Sequence, residues 1–385
     1  MWEKYVILVS IGGTRRKRGI FPQAAKGDKK SEMKKERVLY LDLIRIICFL
    51  MVTSFHFSVA VNTFGIGADV EFYQGIVHIV WGPIAVSCFF MVSGASLIYR
   101  YGKDEFSLKE FYKKRFFGLY PLFWIAYLFA FLDFFYRVKS MPGGPKSHFL
   151  LSVIAMDGYF NEWIPTFYMI GEWFLGMIVV LYLLFPLYRM AMRKCKYILP
   201  AVFLIASVVL IYHNPFPMVA EKNPIMCSMY FTLGMLIEML RENKNERAVR
   251  LGRKIGAAVG AVLIIAVYAA ERTGYRFNSY HVIFVVSVSL YVIVMEIAEW
   301  VKSGRVKGLI GTIGKHSYAY FLLHHVFLYK YLPNFAGIPM SGSNTLILFL
   351  SSVAYIYALA VGLDKIYAAL VRAVRKWRGK DGQAA

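Results

Sequence analysis

The chain has 385 residues, of which 58% are hydrophobic, 17% are aromatic and only 18% are charged. Soluble domains carry about 25% charged residues, and a soluble chain of this length usually divides into two or three domains joined by polar linkers. Here apolar runs recur from about residue 38 almost to the C-terminus, separated by short polar segments. The composition therefore excludes an ordinary soluble fold and predicts one continuous membrane domain.

The formal net charge of +22 is distributed in blocks along the chain. Lys and Arg are concentrated in segments 15–18, 34–37, 100–115, 189–196, 241–254, 302–315 and 372–380. The segments 65–75 and 334–344, which lie between such blocks, are nearly free of them. Cytoplasmic loops of membrane proteins carry the excess of Lys and Arg, so this alternation predicts an even number of spans with both termini in the cytoplasm. It also argues against a nucleic-acid partner.

Apolar segments long enough to cross a bilayer recur along the chain. A hydrocarbon core of about 30 Å needs about 20 apolar residues per helix. The candidates are 38–64, 76–99, 116–136, 170–190, 197–212, 225–240, 255–270, 280–298, 316–332 and 345–371. The sequence thus predicts an all-α, polytopic transmembrane helix bundle of about ten spans. Segment 137–169, the longest loop, is predicted on the extracytoplasmic side, either as an interfacial or re-entrant segment or as a lid over an acceptor site.

The ends of the chain differ from its centre. Residues 1–36 are predicted to form a disordered, basic cytoplasmic tail, with Met1 or Met33 as the initiator, and residues 372–385 to form a second basic cytoplasmic tail. The four cysteines are far apart, form no CxxC pair and match no zinc or disulfide framework, so they are read as small core residues. The sequence therefore gives no sign of a metal site.

The first apolar segment carries three ionisable residues, Asp42, Arg45 and His56. Such groups are costly inside a span and usually functional. Eleven residues separate Arg45 from His56, which on a helix places them within about 20° of one face and about 16 Å apart along the axis. One groove could contact both side chains. Alternatively, Arg45 extends to the inner interface with Asp42 as its partner, and His56 bonds a neighbouring helix.

At these positions the chain resembles the acyltransferase family 3 membrane proteins, which include O-acetyltransferases of bacterial surface polysaccharides. Their first helix carries a basic residue, ten arbitrary residues and a histidine, as Arg45 and His56 do here. Further matches follow in the same order: FFMVSGASLI at 89–98, RFFGLYP at 115–121, WFLGMIVVLYLLFP at 173–186 and SYAYFLLH at 317–324. The resemblance runs from about residue 37 to residue 364 and implies an acyltransferase domain, which we place at residues 37–371.

The resemblance implies roles for several residues. It makes His56 the catalytic residue, and Arg45 and Arg115 the donor-binding residues. Family members often carry a second arginine where this chain has Gly118, so Arg115 would act alone or with its neighbouring lysines, unless it belongs to an ordinary basic loop.

The acceptor pocket is expected to involve Glu172, Trp173, Tyr318 and His324. Trp173 could instead be an interfacial residue, and His324 could make a structural hydrogen bond. His324 and His325 project about 100° apart on a helix, so only one of them is expected to face the bundle, and the family pattern selects His324. For the Ser93-Gly94 pair, close helix packing is favoured over chemistry.

The motif search finds no GxSxG elbow and no GxxxxGK[ST] loop, which leaves a histidine-centred site within the membrane. The predicted function is transfer of an acyl group, most simply acetyl, from cytosolic acyl-CoA to a hydroxyl of a cell-surface glycan or its lipid-linked precursor. The expected location is the bacterial cell membrane, with acyl-CoA as co-substrate and no bound cofactor. Direct transfer and an acyl-histidine relay both remain open. The alternatives are a transporter of a small solute or of acyl groups, and a scaffold in a polysaccharide export complex.

Overall fold

The computed structural model describes residues 37–76, 79–103, 105–140 and 143–381. The tail predicted at residues 1–36, with both candidate initiators, lies outside these ranges. The described chain contains fourteen α-helices: α1 (Leu39–Thr63), α2 (Glu71–Gln74), α3 (Trp81–Tyr101), α4 (Leu108–Val138), α5 (Phe149–Val153), α6 (Asp157–Phe160), α7 (Glu172–Lys194), α8 (Ile198–Tyr212), α9 (Pro224–Arg241), α10 (Glu246–Arg272), α11 (Ser279–Trp300), α12 (Gly304–Lys315), α13 (Ser317–Tyr331) and α14 (Gly342–Asp381). Three 3₁₀ turns (Lys146–His148, Ala220–Lys222 and Leu332–Phe335) and one short antiparallel pair, β1 (Gly75–Ile76) and β2 (Ile79–Val80), complete it.

Seven of these helices, α1, α3, α4, α7, α10, α11 and α14, are long and apolar enough to cross a membrane. Helices suit this environment because each backbone N–H and C=O finds its partner within the same segment. The other three predicted spans correspond to the shorter helices α8, α9 and α13. The protein is thus an α-helical membrane protein, while the count of ten spans and the cytoplasmic placement of both termini stay predictions.

Two predicted segments take a different form in the structure. Segment 302–315, predicted as a basic loop, contains helix α12, and α14 continues through Asp381, so that residues 372–381 are helical. Val306, Leu309, Ile310 and Ile313 of α12 follow the i, i+3, i+4, i+7 spacing of an amphipathic helix, which packs against α1. The segment was predicted as a loop because of its basic residues, although its apolar residues already have this helical spacing. The long segment 137–169 contains a 3₁₀ turn and the short helices α5 and α6.

Helices α3 and α9 pack closely through glycines. A Cβ atom at Gly94 would lie 1.9 Å from the Phe231 carbonyl oxygen, and one at Gly234 would lie 2.0 Å from the Met91 carbonyl oxygen. Small residues allow helix backbones to approach in this way where no hydrophobic force drives helices together. The packing interpretation of the Gly94 motif is confirmed.

Residues Val38–Tyr367 form one compact unit. Within it, α1 packs against α3, α11, α12 and α13. This central position surrounds the ionisable residues of α1 with other helices, so these side chains face protein rather than lipid.

Candidate active site

Three histidines and one glutamate meet near the middle of this unit. The ring centroid of His56, on α1, lies 5.2 Å from that of His324 and 5.0 Å from that of His325, both on α13. One possible metal-ligand atom from each of His56, Glu172 and His324, a ring nitrogen or a carboxylate oxygen, lies within 4.8 Å of the other two. Helices α1, α7 and α13 therefore bring residues separated by more than a hundred positions into one cluster.

A hydrogen bond determines which ring nitrogen of the buried His324 carries the proton. Its Nδ1 lies 2.6 Å from the Phe321 carbonyl oxygen. Because a carbonyl can only accept, we assign the proton of the neutral ring to Nδ1, which leaves a lone pair on Nε2. Nε2 has no hydrogen-bond partner within the described residues. His324 therefore presents a proton acceptor to the cluster.

Glu172 is held at the first position of α7 by an unusual backbone. Gly171 and Glu172 have φ angles of 97° and 48°, and left-handed backbone is uncommon for a glutamate. Residues retained in such conformations are found preferentially at functional sites. Oε1 of Glu172 lies 3.2 Å from Nδ1 of His325. The contact lacks hydrogen-bond geometry, so Oε1 has no donor in the described part of the chain.

The cluster borders a small, mostly apolar cavity. Its lining includes His56, Glu172, Phe89, Phe174 and Phe321, and its volume is about 30 Å³. A water-sized group needs about 10 to 15 Å³ on this measure, so there is room for about two such groups. The cavity thus combines mostly apolar walls with two side chains that can accept hydrogen bonds, those of His56 and Glu172.

The sequence prediction identified most of this cluster. His56, Glu172 and His324 contribute to it, and Trp173 lines the adjoining cavity. His325 was missed, since only one residue of the histidine pair was expected to face the bundle. That expectation is wrong because His56 lies between the two directions in which neighbouring α13 residues project, so both rings reach it.

Arg45 lies on α1 at the other end of the predicted groove. Its guanidinium contacts the buried carboxylate of Asp42 at 2.8 Å and donates to the Ser96 hydroxyl at 2.7 Å. About a quarter of its side chain, 26%, remains exposed. The structure thus contains the Asp42–Arg45 ion pair that the structural alternative predicted, and part of the Arg45 side chain remains exposed.

Arg115 and Tyr318 lie apart from the histidines. The Arg115 guanidinium carbon is 5.7 Å from the ring centroid of Tyr182, and its Nε is buried with no hydrogen-bond partner among the described residues. The Tyr318 hydroxyl donates to the Leu119 carbonyl oxygen at 3.2 Å. Tyr318 is thus occupied by a contact between α13 and α4, and the structure does not bring it into the cluster.

The residues His56, Glu172 and His324 could hold a divalent cation. Two imidazole nitrogens and one carboxylate are the ligand set of some catalytic zinc sites, which keep a fourth position open. The same three groups are also hydrogen-bond acceptors that suit a hydroxyl donor. The sequence prediction of a metal-free site stays a prediction.

Comparison with known proteins identifies the family of this chain. The family profile of acyltransferase family 3, described as an acyltransferase domain, matches residues 38–364. The acyltransferase MdmB of Streptomyces mycarofaciens is 25% identical over 287 residues, which cover 67% of this chain and 71% of that protein. No solved structure matches the chain significantly. The chain belongs to acyltransferase family 3 and is an acyltransferase of the membrane-embedded type.

Proposed function

We propose that this enzyme transfers an acetyl group from cytosolic acetyl-CoA to a hydroxyl of a cell-surface glycan or its lipid-linked precursor, in the bacterial cell membrane. The observation that carries the proposal is the cluster of His56, Glu172 and His324: Oε1 of Glu172 and Nε2 of His324 lack a hydrogen-bond partner among the described residues, and His56 and Glu172 line one small cavity. Such groups are costly to bury, and a substrate hydroxyl supplies the missing donor. By the charge alternation, the cluster lies in the outer half of the bundle.

The cluster suits the proton transfers of ester formation. In direct transfer, the acceptor hydroxyl gives its proton to the neutral imidazole of His56 while its oxygen attacks the thioester carbonyl. The carbon–sulfur bond breaks, and the thiolate leaves and takes up that proton to give CoA. In a relay, a His56 nitrogen attacks the thioester carbonyl, the carbon–sulfur bond breaks, and the thiolate leaves and takes up the ring proton to give CoA. The acceptor hydroxyl then attacks the acyl-imidazole, the carbon–nitrogen bond breaks, and the hydroxyl proton returns to the ring. Both routes use His56, and both need an accessible nitrogen lone pair.

The size of the cavity supports a short acyl group. An acetyl group adds only one methyl to the carbonyl, and the 30 Å³ beside His56 fits a group of about that size. Phe89, Phe174 and Phe321 line the same space. A longer acyl chain would have to displace these rings.

The charge distribution supports a cytosolic donor. Arg45 and Arg115 lie on the predicted cytoplasmic side, and each retains capacity for an anion: a partly exposed guanidinium in one case and an unpaired Nε in the other. Arginine is always charged and binds phosphate in a fork. These two residues are the proposed contacts of the CoA phosphates.

The test is acceptor-dependent release of CoA by purified enzyme in detergent, with radiolabelled acetyl-CoA and a panel of methyl glycosides. His56→Gln keeps a hydrogen-bonding side chain but can neither take a proton nor carry an acyl group. We expect transfer to fall by about a hundredfold or more, the usual contribution of a positioned base. The exposed His213 provides the matched control, His213→Gln, which should behave as wild type.

Three results would contradict the proposal. CoA release that no sugar stimulates would exclude a glycan acceptor, and transport of a labelled solute without ester formation would favour a transporter. Wild-type transfer by His56→Gln would remove His56 from the chemistry. We also expect transfer to survive a chelator, since the proposal uses no metal.

A further inference from the structure

A second cavity adjoins the one at His56. The two share Val86 and Trp173 as lining residues, so the indole of Trp173 and the side chain of Val86 lie between them. The second cavity is bordered by the ends of α3, α7, α9 and α11 that the charge alternation places outside, and by the 3₁₀ turn Ala220–Lys222. An acceptor from the extracytoplasmic side would meet this cavity beside the catalytic one.

The only carboxylate that lines this second cavity belongs to Glu221. Among the described residues, no group forms a hydrogen bond or ion pair with it, and the Cys227 thiol bonds only its backbone carbonyl. The adjacent Lys222 ammonium is instead paired with Glu162. Burial raises the pKa of Glu221 above its ordinary value, against the opposing effect of Lys222. A half-buried carboxylate without a donor is costly, and a ligand that brings donors would offset that cost.

The other walls of the cavity are mostly apolar and include four aromatic side chains. Trp173, Phe90, Tyr230 and Tyr280 line it, together with Ser87 and the apolar residues Pro83, Val86, Met226 and Ile283. A sugar ring presents a C–H face that packs on an aromatic ring and an edge of hydroxyls that donate to a carboxylate. The cavity volume of about 20 Å³ has room for about one or two hydroxyl groups. It therefore fits one edge of a ring, with the rest of the sugar outside.

We propose that this cavity is the acceptor subsite of the enzyme, in which a ring edge of the sugar donates hydrogen bonds to Glu221 while the ring packs against Trp173. A neighbouring hydroxyl is then presented past Trp173 and Val86 to His56. The proposal rests on the proposed function, because it requires a sugar acceptor. Glu221 becomes a residue that determines which sugar is acylated, and it has no role in the chemistry of the thioester.

The test compares Glu221→Gln with wild type, using acetyl-CoA and whichever methyl glycoside the wild type acylates best. Glutamine preserves shape but loses the charge that strengthens the hydrogen bonds. We expect the KM for the glycoside to rise by about tenfold or more while the KM for acetyl-CoA stays within about twofold. Glu71→Gln, which changes an exposed carboxylate at the start of α2, is the control and should leave both constants unchanged.

A series of deoxy glycosides makes the test independent of protein yield. Removing the hydroxyl that bonds Glu221 should raise the KM of the wild type for the glycoside. It should raise the KM of Glu221→Gln little further, as expected for two groups in contact. The assignment of the subsite is wrong, although acyl transfer stands, if removal of each hydroxyl raises the KM for the glycoside equally in both enzymes. It is also wrong if Glu221→Gln keeps the wild-type KM for the glycoside. If wild type acylates no glycoside, the proposed function fails as well.

Discussion

Replacement of Arg45 should have two separable effects, because this residue is both an ion-pair partner and a proposed donor ligand. Its guanidinium lies 2.8 Å from the carboxylate of Asp42, which is only 1% exposed. In Arg45→Gln the buried carboxylate loses this ion pair. Removing one partner of a buried pair costs about 3 to 5 kcal/mol. The partial exposure of Arg45 favours the lower end, so we expect destabilisation of about 3 kcal/mol.

The second effect concerns the donor. A charge-assisted hydrogen bond contributes about 1.5 to 3 kcal/mol. Loss of one such contact to a CoA phosphate should raise the KM for acetyl-CoA by about ten- to a hundredfold, while Arg45→Lys should keep part of the donor affinity because the charge remains. Stability alone cannot produce a selective change in donor KM, since unfolded enzyme lowers the apparent kcat.

The double variant Asp42→Asn with Arg45→Gln separates the two effects. It removes both charges, so thermal unfolding in detergent should return towards the wild-type midpoint. The KM for acetyl-CoA should nevertheless remain high, while the single variant Asp42→Asn should keep a KM near that of wild type. If the double variant recovers both stability and donor KM, Arg45 serves only the ion pair, and the assignment of this residue to donor binding is refuted.

Two further predictions concern pH and topology. Burial raises the pKa of Asp157, at the start of α6, to about 6. Folding therefore favours the protonated form of this carboxyl. Its contribution to the free energy of unfolding is fully present below about pH 4 and is lost as the pH rises through about 6. A pKa that is higher by about 2 in the folded state corresponds to about 3 kcal/mol. Asp157→Asn should therefore unfold at a higher temperature than wild type at pH 7 and at a similar temperature at pH 4. Equal pH profiles of the unfolding temperature would contradict this. A reporter fused after Asn334 should be extracytoplasmic and one fused at Arg247 cytoplasmic; a cytoplasmic Asn334 would exclude the ten-span arrangement.

The sequence was sufficient for the features that depend on local composition. Apolar length predicts most helices, and the rarity of charges inside spans singles out Arg45 and His56 before any contact is known. It was less informative where helix contacts decide the outcome. The role of His325 depends on where α13 lies relative to α1, and Glu221 has no local pattern that distinguishes it from any loop glutamate. Only the wall that the two cavities share, formed by Val86 and Trp173, relates Glu221 to the cavity beside His56.

Helix α12 illustrates a different limit. Its apolar residues have helical spacing, but Arg305, Lys307 and Lys315 at its ends lower the mean hydropathy and give the segment the composition of a loop. In the structure one amphipathic helix satisfies both patterns, with Ile310 buried and the three basic side chains exposed. Charge blocks in this chain therefore mark the predicted cytoplasmic face without excluding helices there.

Some buried polar groups of the bundle have a partner within the protein, and others do not. Several buried carboxylates on the predicted cytoplasmic side have partners, as Glu238 has in Arg241 at 2.6 Å and Glu296 in Arg253 at 2.6 Å. In the described residues, the unpaired atoms include acceptors on Glu172 and His324, in the half of the bundle that is predicted to lie outside, and the buried Nε of Arg115, a donor on the predicted cytoplasmic side. Acceptors that need donors suit a hydroxyl, and a guanidinium that needs an acceptor suits a phosphate. These are the two chemistries that the proposed function requires, a sugar hydroxyl arriving from outside and an acyl-CoA phosphate arriving from the cytosol.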